Sequence, residues 1–305
     1  MIDQSKTNAG VSQLDSDDAI SAEAATEIDI NRLVKSLVAF REPSASRSWY
    51  ELAATFLPLI IALAIMMFGV ATGYYFTLLL TPLTGLLLLR MFIIQHDCGH
   101  GAFMPGKKRN DWIGRAIGVL TLTPYDCWRR SHELHHAGTG NLDARGFGDV
   151  DTLTVREFQS LSPLKRFGYR VYRHPMTILG FGPAYLFLLR HRLPIGLMKA
   201  GSRYWISAMV TNAVAGVLLV ASAWLFGLGT TLLVFLPTLL LAATVGIHHI
   251  HHLMSRIPFY RLYEALGAHP ELANVNRITP RQTIRPFLLV LWDEDQRKMV
   301  RFRDI

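Results

Sequence analysis

Residues 204–247 read YWISAMVTNAVAGVLLVASAWLFGLGTTLLVFLPTLLLAATVGI, 44 residues without a charged side chain, and run directly into His248-His249-Ile250-His251-His252. A helix needs ~20 apolar residues to cross ~30 Å of hydrocarbon. The run therefore holds two spans, about 205–225 and 228–247, joined by a short turn at 226–229. The same pattern occurs upstream: 52–70 is apolar, Ala71-Thr72-Gly73 is a turn, and 74–94 returns. Arg90 near the end of that second span is placed to snorkel outward. The sequence thus predicts an all-α, polytopic integral membrane protein with four transmembrane helices in two hairpins.

Composition agrees. Of 305 residues, 50% are hydrophobic and only 18% charged, and mean hydropathy is +0.25, outside the range of ordinary soluble domains. The net charge is +8, but the basic residues are scattered over several loops without a binding motif, so nucleic acid is not an expected partner. The turns at 71–73 and 226–229 carry no lysine or arginine. The opposite side carries Lys35, Arg41, Arg47, Lys107, Lys108, Arg109, Lys199, Arg203, Arg256 and Arg261. The positive-inside rule puts both termini and the long middle loop in the cytoplasm, facing anionic headgroups.

Outside the spans, residues 1–46 are polar and contain no signal-peptide h-region. Ile30, Leu33, Val34, Leu37 and Val38 form one face of an amphipathic helix near 30–40, lying on the membrane surface or docked on the protein itself. The membrane domain covers 47–262, and 263–305 is a basic cytoplasmic tail. Met176–Leu189 is apolar but broken by Gly180, Gly182 and Pro183, which suits a re-entrant or interfacial segment better than a span. Cys98 and Cys127 form no CxxC pair and read as reduced thiols.

Nine of the twelve histidines fall in three clusters on the predicted cytoplasmic side: His96-Asp97-Cys98-Gly99-His100, His132-Glu133-Leu134-His135-His136 and His248-His249-Ile250-His251-His252. Side chains at i, i+3 and i+4 share a helix face. His96 and His100, then His132, His135 and His136, then His248, His251 and His252 can therefore converge. His249 points elsewhere, and Cys98 falls off the face of the first cluster. Eight imidazoles exceed the needs of one metal and suggest two, although imidazole suits iron, copper, zinc and nickel alike. His132-Glu133-Leu134-His135-His136 also fits the zinc-protease pattern H-E-x-x-H with Glu133 as base, which leaves the other two clusters unexplained. The isolated His174, His191 and His269 read as ordinary polar residues.

With these motifs the chain resembles the membrane fatty acid desaturase family, whose three histidine boxes have the spacings found here. HDCGHGAF at 96–103, SHELHHAGTGNLDARGFGDVDTLTV at 131–155, GPAYLFLLRHRLP at 182–194 and HHIHHLMSRIPFYRL at 248–262 are similar to the bacterial acyl-lipid, delta-12-like branch. The resemblance spans roughly residues 40–300. It implies that His96, His100, His132, His135, His136, His248, His251 and His252 ligate two iron ions in a cytoplasmic histidine-rich cap. It also implies O2 as co-substrate, a fatty acyl lipid as substrate, a ferredoxin or cytochrome b5-like electron donor, and a bacterial inner membrane as location. Asp97, Glu133, Asp149, Asp151 and His249 are the candidates for orienting ligand imidazoles. Other histidine-box oxygenases, hydroxylases or ketolases, share the pattern. One departure stands out: the last span runs straight into His248, where the family has an intervening soluble stretch, so some tens of residues are missing. A metal-binding chain with an incomplete site is the corresponding alternative.

Overall fold

The computed structural model describes residues 33, 35–138, 141–144, 150–243, 256–269 and 288–305. Helix α1 is Ala45–Ala71, started by Ser44, whose side chain accepts the Arg47 N–H. It ends where Gly73 takes φ +81°, a left-handed value that glycine adopts without a Cβ penalty. A 3-10 turn, Tyr75–Leu80, leads into α2, Thr81–Gly99. Helices α3, Lys107–Leu120, and α4, Tyr125–Gly138, follow. Then come a short strand β1, Leu153–Thr154, and helices α5, Val155–Ser160, and α6, Pro163–Tyr172. A π-helical turn, Thr177–Phe181, opens α7, Gly182–Leu188. Helices α8, Ser202–Phe226, and α9, Leu228–Ala243, form the second hairpin around Gly227 at φ +85°.

Three helical stretches, Ala45–Ala71, Tyr75–Gly99 and Ser202–Phe226, are long and apolar enough to cross a membrane. Helix α9 is as apolar but shorter within the described residues; the last four positions of its predicted span, 244–247, lie outside them. Both predicted turns fall between helices. The segment 176–189 forms no span: its helix is broken into a π turn and seven residues of α7, as its glycines and proline suggested.

The core lies between α1, α2, α3 and α9. Leu59, Leu88, Met91, Ile94, Phe103, Ile117, Tyr125 and Leu239 are buried against one another. Helix α9 approaches α2 closely at Gly85, where a Cβ would stand 2.7 Å from Leu241. The hydroxyls of Thr84 and Thr238 bond across the same contact at 3.1 Å. Small residues and hydroxyl pairs are what apolar helices use to associate where lipid removes the hydrophobic drive. Arg90 does not simply reach outward. It pairs, with Arg47, to the buried carboxylate of Glu51, because an unpaired charge there would be costly.

Two further features complete the fold. First, a small three-stranded sheet joins β1 in parallel to β2, Leu291–Asp293, which pairs antiparallel with β3, Lys298–Val300. Its strands are two or three residues long, too short to leave a period-2 signal. It ties the C-terminal residues to the middle of the chain over a core of Phe158, Tyr169, Val290, Leu291 and Val300. Second, Leu37 is buried against Ile257 and Ala265, the latter on helix α10, Leu262–Ala268. Of the two readings of the amphipathic N-terminal stretch, docking on the protein is the one seen; Ile30 and Val34 lie outside the described residues.

Candidate metal centre

Helix α2 carries the first histidine cluster in its last turn, and the His100 N–H closes the helix on the His96 carbonyl at 3.2 Å. Helix α4 carries the second. The two faces meet. One nitrogen each of His96, His100, His132 and His136 lies within 4.8 Å of all the others. The His132 Nε2 is 3.0 Å from the His100 Nε2 and 3.1 Å from the His136 Nε2. His135 packs beside them, its ring centroid 5.7 Å from that of His132 and 5.6 Å from that of His136. His248, His249, His251, His252 and Asp149 lie outside the described residues.

The donor chemistry suits a cation. One proton can bridge a single pair of imidazole nitrogens, whereas the His132 Nε2 faces two at hydrogen-bond distance. A bound metal would take up lone pairs that protons alone leave facing one another, and nitrogen-only sets of this kind take transition metals.

Several residues the histidine pattern does not reveal hold this arrangement. Trp128 stacks on His132 with ring centroids 4.7 Å apart and tilts against His96 at 5.5 Å. Gly99 makes room for it: a Cβ there would be 2.8 Å from the indole. Tyr125, buried in the core, donates its hydroxyl to the Cys98 carbonyl at 2.9 Å and to Asp111 at 3.1 Å, binding α4 to the end of α2. Gly114 admits that ring, since a Cβ would stand 2.2 Å from it. Asp126 anchors the start of α4 through Arg115 of α3 and Arg203 of α8, while its N–H donates to the Ser207 hydroxyl. No local pattern marks Tyr125 and Asp126, whose partners are distant in sequence, and the fit of Trp128 against Gly99 and His96 likewise exists only in the fold.

Electrostatics follow from the packing. Burial would raise the Asp126 carboxyl, but hydrogen bonds and charge from Arg115 and Arg203 outweigh it and hold the group below the usual range. At Asp111, burial is likewise overcome by Lys107, Tyr125 and Arg129. Burial pushes Tyr125 up, reinforced by nearby Cys98 and Asp111, so it stays a donor. The Cys127 thiol is pushed up to about 11 by burial and then by Asp126, which fits an inert thiol.

Asp97 accepts the Phe259 N–H at 2.6 Å and stands 3.5 Å from the His96 Nδ1. Glu133 turns to Arg129 and Arg130 on the exposed side of α4. A carboxylate held by two guanidiniums is poorly placed as a protease base, which weakens the H-E-x-x-H reading. The backbone of Asp151 bonds the hydroxyls of Tyr172 and Tyr169. The His174 Nδ1 accepts the Met176 N–H, and His269 bonds the Ser36 hydroxyl at 3.0 Å. His191 is buried beside Phe187, and burial, with Arg192 and Arg190, pushes it down to about 4.

The family model for fatty acid desaturases matches residues 72–247. A fatty acid desaturase of Bacillus subtilis is 32% identical over 324 aligned positions, covering 90% of this chain and 91% of that protein. The sn-1 acyl-lipid omega-3 desaturase (ferredoxin) of Synechocystis is 42% identical over 71 residues, 23% of this chain and 20% of its own. The sn-1 oleoyl-lipid 12-desaturase of the same organism is 30% identical over 140 residues, 46% of this chain and 38% of its own. An apolar helical bundle with an imidazole cluster at one end is the arrangement of a membrane protein whose histidines could hold a metal. The chain belongs to the fatty acid desaturase family, a family of oxidoreductases.

Proposed function

We propose that this protein desaturates a lipid-linked fatty acyl chain, using O2 and two electrons at a histidine-ligated di-iron centre. The observation that carries the reading is the convergence of His96, His100, His132 and His136 at one end of apolar helices. In balance, a –CH2–CH2– unit, O2, two electrons and two protons give –CH=CH– and two waters. Iron bound there would supply the redox chemistry that alkyl C–H bonds require and that acid–base side chains lack.

The chain's own residues have the other tasks. His96 and His100 offer nitrogens from α2, and His132, His135 and His136 from α4. His248, His251 and His252 complete the set, the first of them five residues beyond the described part of α9. Trp128 fixes the His132 ring by stacking. Asp97, Asp149 and His249 are the proposed orienting groups, whereas Glu133 is taken up by Arg129 and Arg130; Asp97 is best placed, with both oxygens engaged near the first cluster. The electron donor is a ferredoxin or cytochrome b5-like protein. Relatives whose names include ferredoxin support the first. The cationic ends of the helices, in the cytoplasm of a bacterium by the positive-inside rule, favour an acidic donor.

A gap before the third cluster belongs to this reading. The alignment with the Bacillus subtilis relative is 324 positions long, more than the 305 residues of the chain, so it opens gaps here. The family match also stops at Ile247, one residue before His248. Both support the absence of a segment that relatives carry. They favour, as a second reading, a chain that binds metal without turnover.

Expression in a host of defined lipid composition, followed by fatty-acid profiling under labelled O2, tests the proposal. New double bonds without oxygen incorporation are expected. A hydroxylated product would move the chain to another histidine-box reaction, and no product alongside bound iron would favour the second reading.

A further inference from the structure

Beside the histidine centre is a cavity of about 400 Å³ lined by Cys98, His100, Asn110, Asp111 and four cationic side chains, Arg41, Lys107, Arg129 and Arg256. Its size lies in the range of small-ligand sites. One carboxylate, Asp111, already pairs with two of these cations, Lys107 at 2.8 Å and Arg129 at 2.9 Å. Arg41 and Arg256 form no ion pair with a described residue. The Arg41 Nε is buried and meets no hydrogen-bond acceptor among the described residues. Four cations and one carboxylate among the described lining residues leave an excess of positive charge, which calls for an anion.

Position narrows the chemistry. Arg41 lies four residues before α1, and Lys107 eight residues after α2, at the ends of membrane-crossing stretches. Residues just beyond such ends sit at the level of lipid phosphates. His100 lines the same cavity, so an anion held there is tethered next to the imidazole cluster. An acidic protein would have to insert a side chain into a recess, whereas a headgroup phosphate arrives at this depth from the bilayer.

We propose that this cavity seats the phosphodiester of a glycerophospholipid, with Arg41 and Arg256 as its anion-binding pair, and that the acyl chain of the same lipid enters the histidine centre. The substrate half rests on the desaturase reading; the binding half does not.

The test uses the full chain in a neutral detergent and reads thermal unfolding, with no turnover needed. The probes are dioleoylphosphatidylglycerol, dioleoylglycerol and inorganic phosphate. Saturating phosphatidylglycerol is expected to raise Tm by about 3–6 °C beyond the diacylglycerol with the same chains. Arg256→Gln, at an exposed position, and Arg41→Gln/Arg256→Gln are expected to lose that difference, and Arg41→Lys/Arg256→Lys to keep most of it. Equal response to phospholipid and diacylglycerol overturns the site. A shift with inorganic phosphate as large as that with phospholipid overturns the headgroup assignment. A chain inactive in desaturation that still discriminates the two lipids sustains the site, and an active chain that does not discriminate defeats the site alone.

Discussion

At the scale of single residues, the centre depends on side chains that never touch a metal. Trp128 is clamped between Gly99 and His132, so its removal frees a ring whose nitrogen stands 3.0 Å from that of His100. Trp128→Ala is expected to weaken iron binding by about 10–100-fold, as losses of orienting neighbours do, while the helix content is kept. Competition with a chelator checks this; unchanged affinity would mean that the stacking is incidental. Gly99→Ala forces the indole away by a contact of 2.8 Å and is expected to act in the same direction. The convergence of His96 and His100 with His132 and His136 was legible in the sequence because i, i+3, i+4 spacing is local. Trp128, Tyr125 and Asp126 were not, because their partners Gly99, Cys98 and Arg203 reach them only through the fold.

At the scale of elements, α4 is a short polar helix held by its beginning. Asp126 joins it to α3 and α8, and Tyr125 joins it to α2. Asp126→Asn is expected to cost about 1–3 kcal/mol, less than a fully buried pair because both arginines are partly exposed. The sign of the pH effect follows from the lowered carboxyls of Asp126 and Asp111. Their contribution is fully present above the unfolded value of about 4 and is lost as pH falls through the lowered folded values. Thermal unfolding between pH 3 and 7 is therefore expected to steepen below about pH 4, and less so in Asp126→Asn. Identical profiles would show that the cluster contributes nothing. Asp97 holds a second element: it bonds the Phe259 N–H, and Phe103 stacks on Phe259. The turn that follows the third histidine cluster is thereby pinned to the first. Asp97→Ala is expected to raise amide exchange at 259–262, readable by mass spectrometry; unchanged exchange would leave the pinning to Phe103.

At the scale of the molecule, two apolar hairpins place the histidine-bearing ends of α2 and α4 on one side with the starts of α1 and α8. Hydropathy alone reveals this frame, since uncharged runs of that length have few other uses. The small sheet escaped it, because β1 and β2 pair across more than a hundred residues, and the amphipathic pattern around Leu37 allowed docking on the protein without marking α10 as the partner. If the cationic ends steer an acidic donor, raising ionic strength from 50 to 300 mM, about a halving of the Debye length, is expected to slow the donor-dependent rate several-fold. A salt-independent rate would remove the steering.

Metal analysis of the purified full chain, beside His100→Ala, His132→Ala and His248→Ala, tests the central claim most directly. The account predicts two irons per wild-type chain and loss of iron from each variant that remains folded. Zinc in place of iron, or full iron content retained in His100→Ala and His132→Ala, would contradict it.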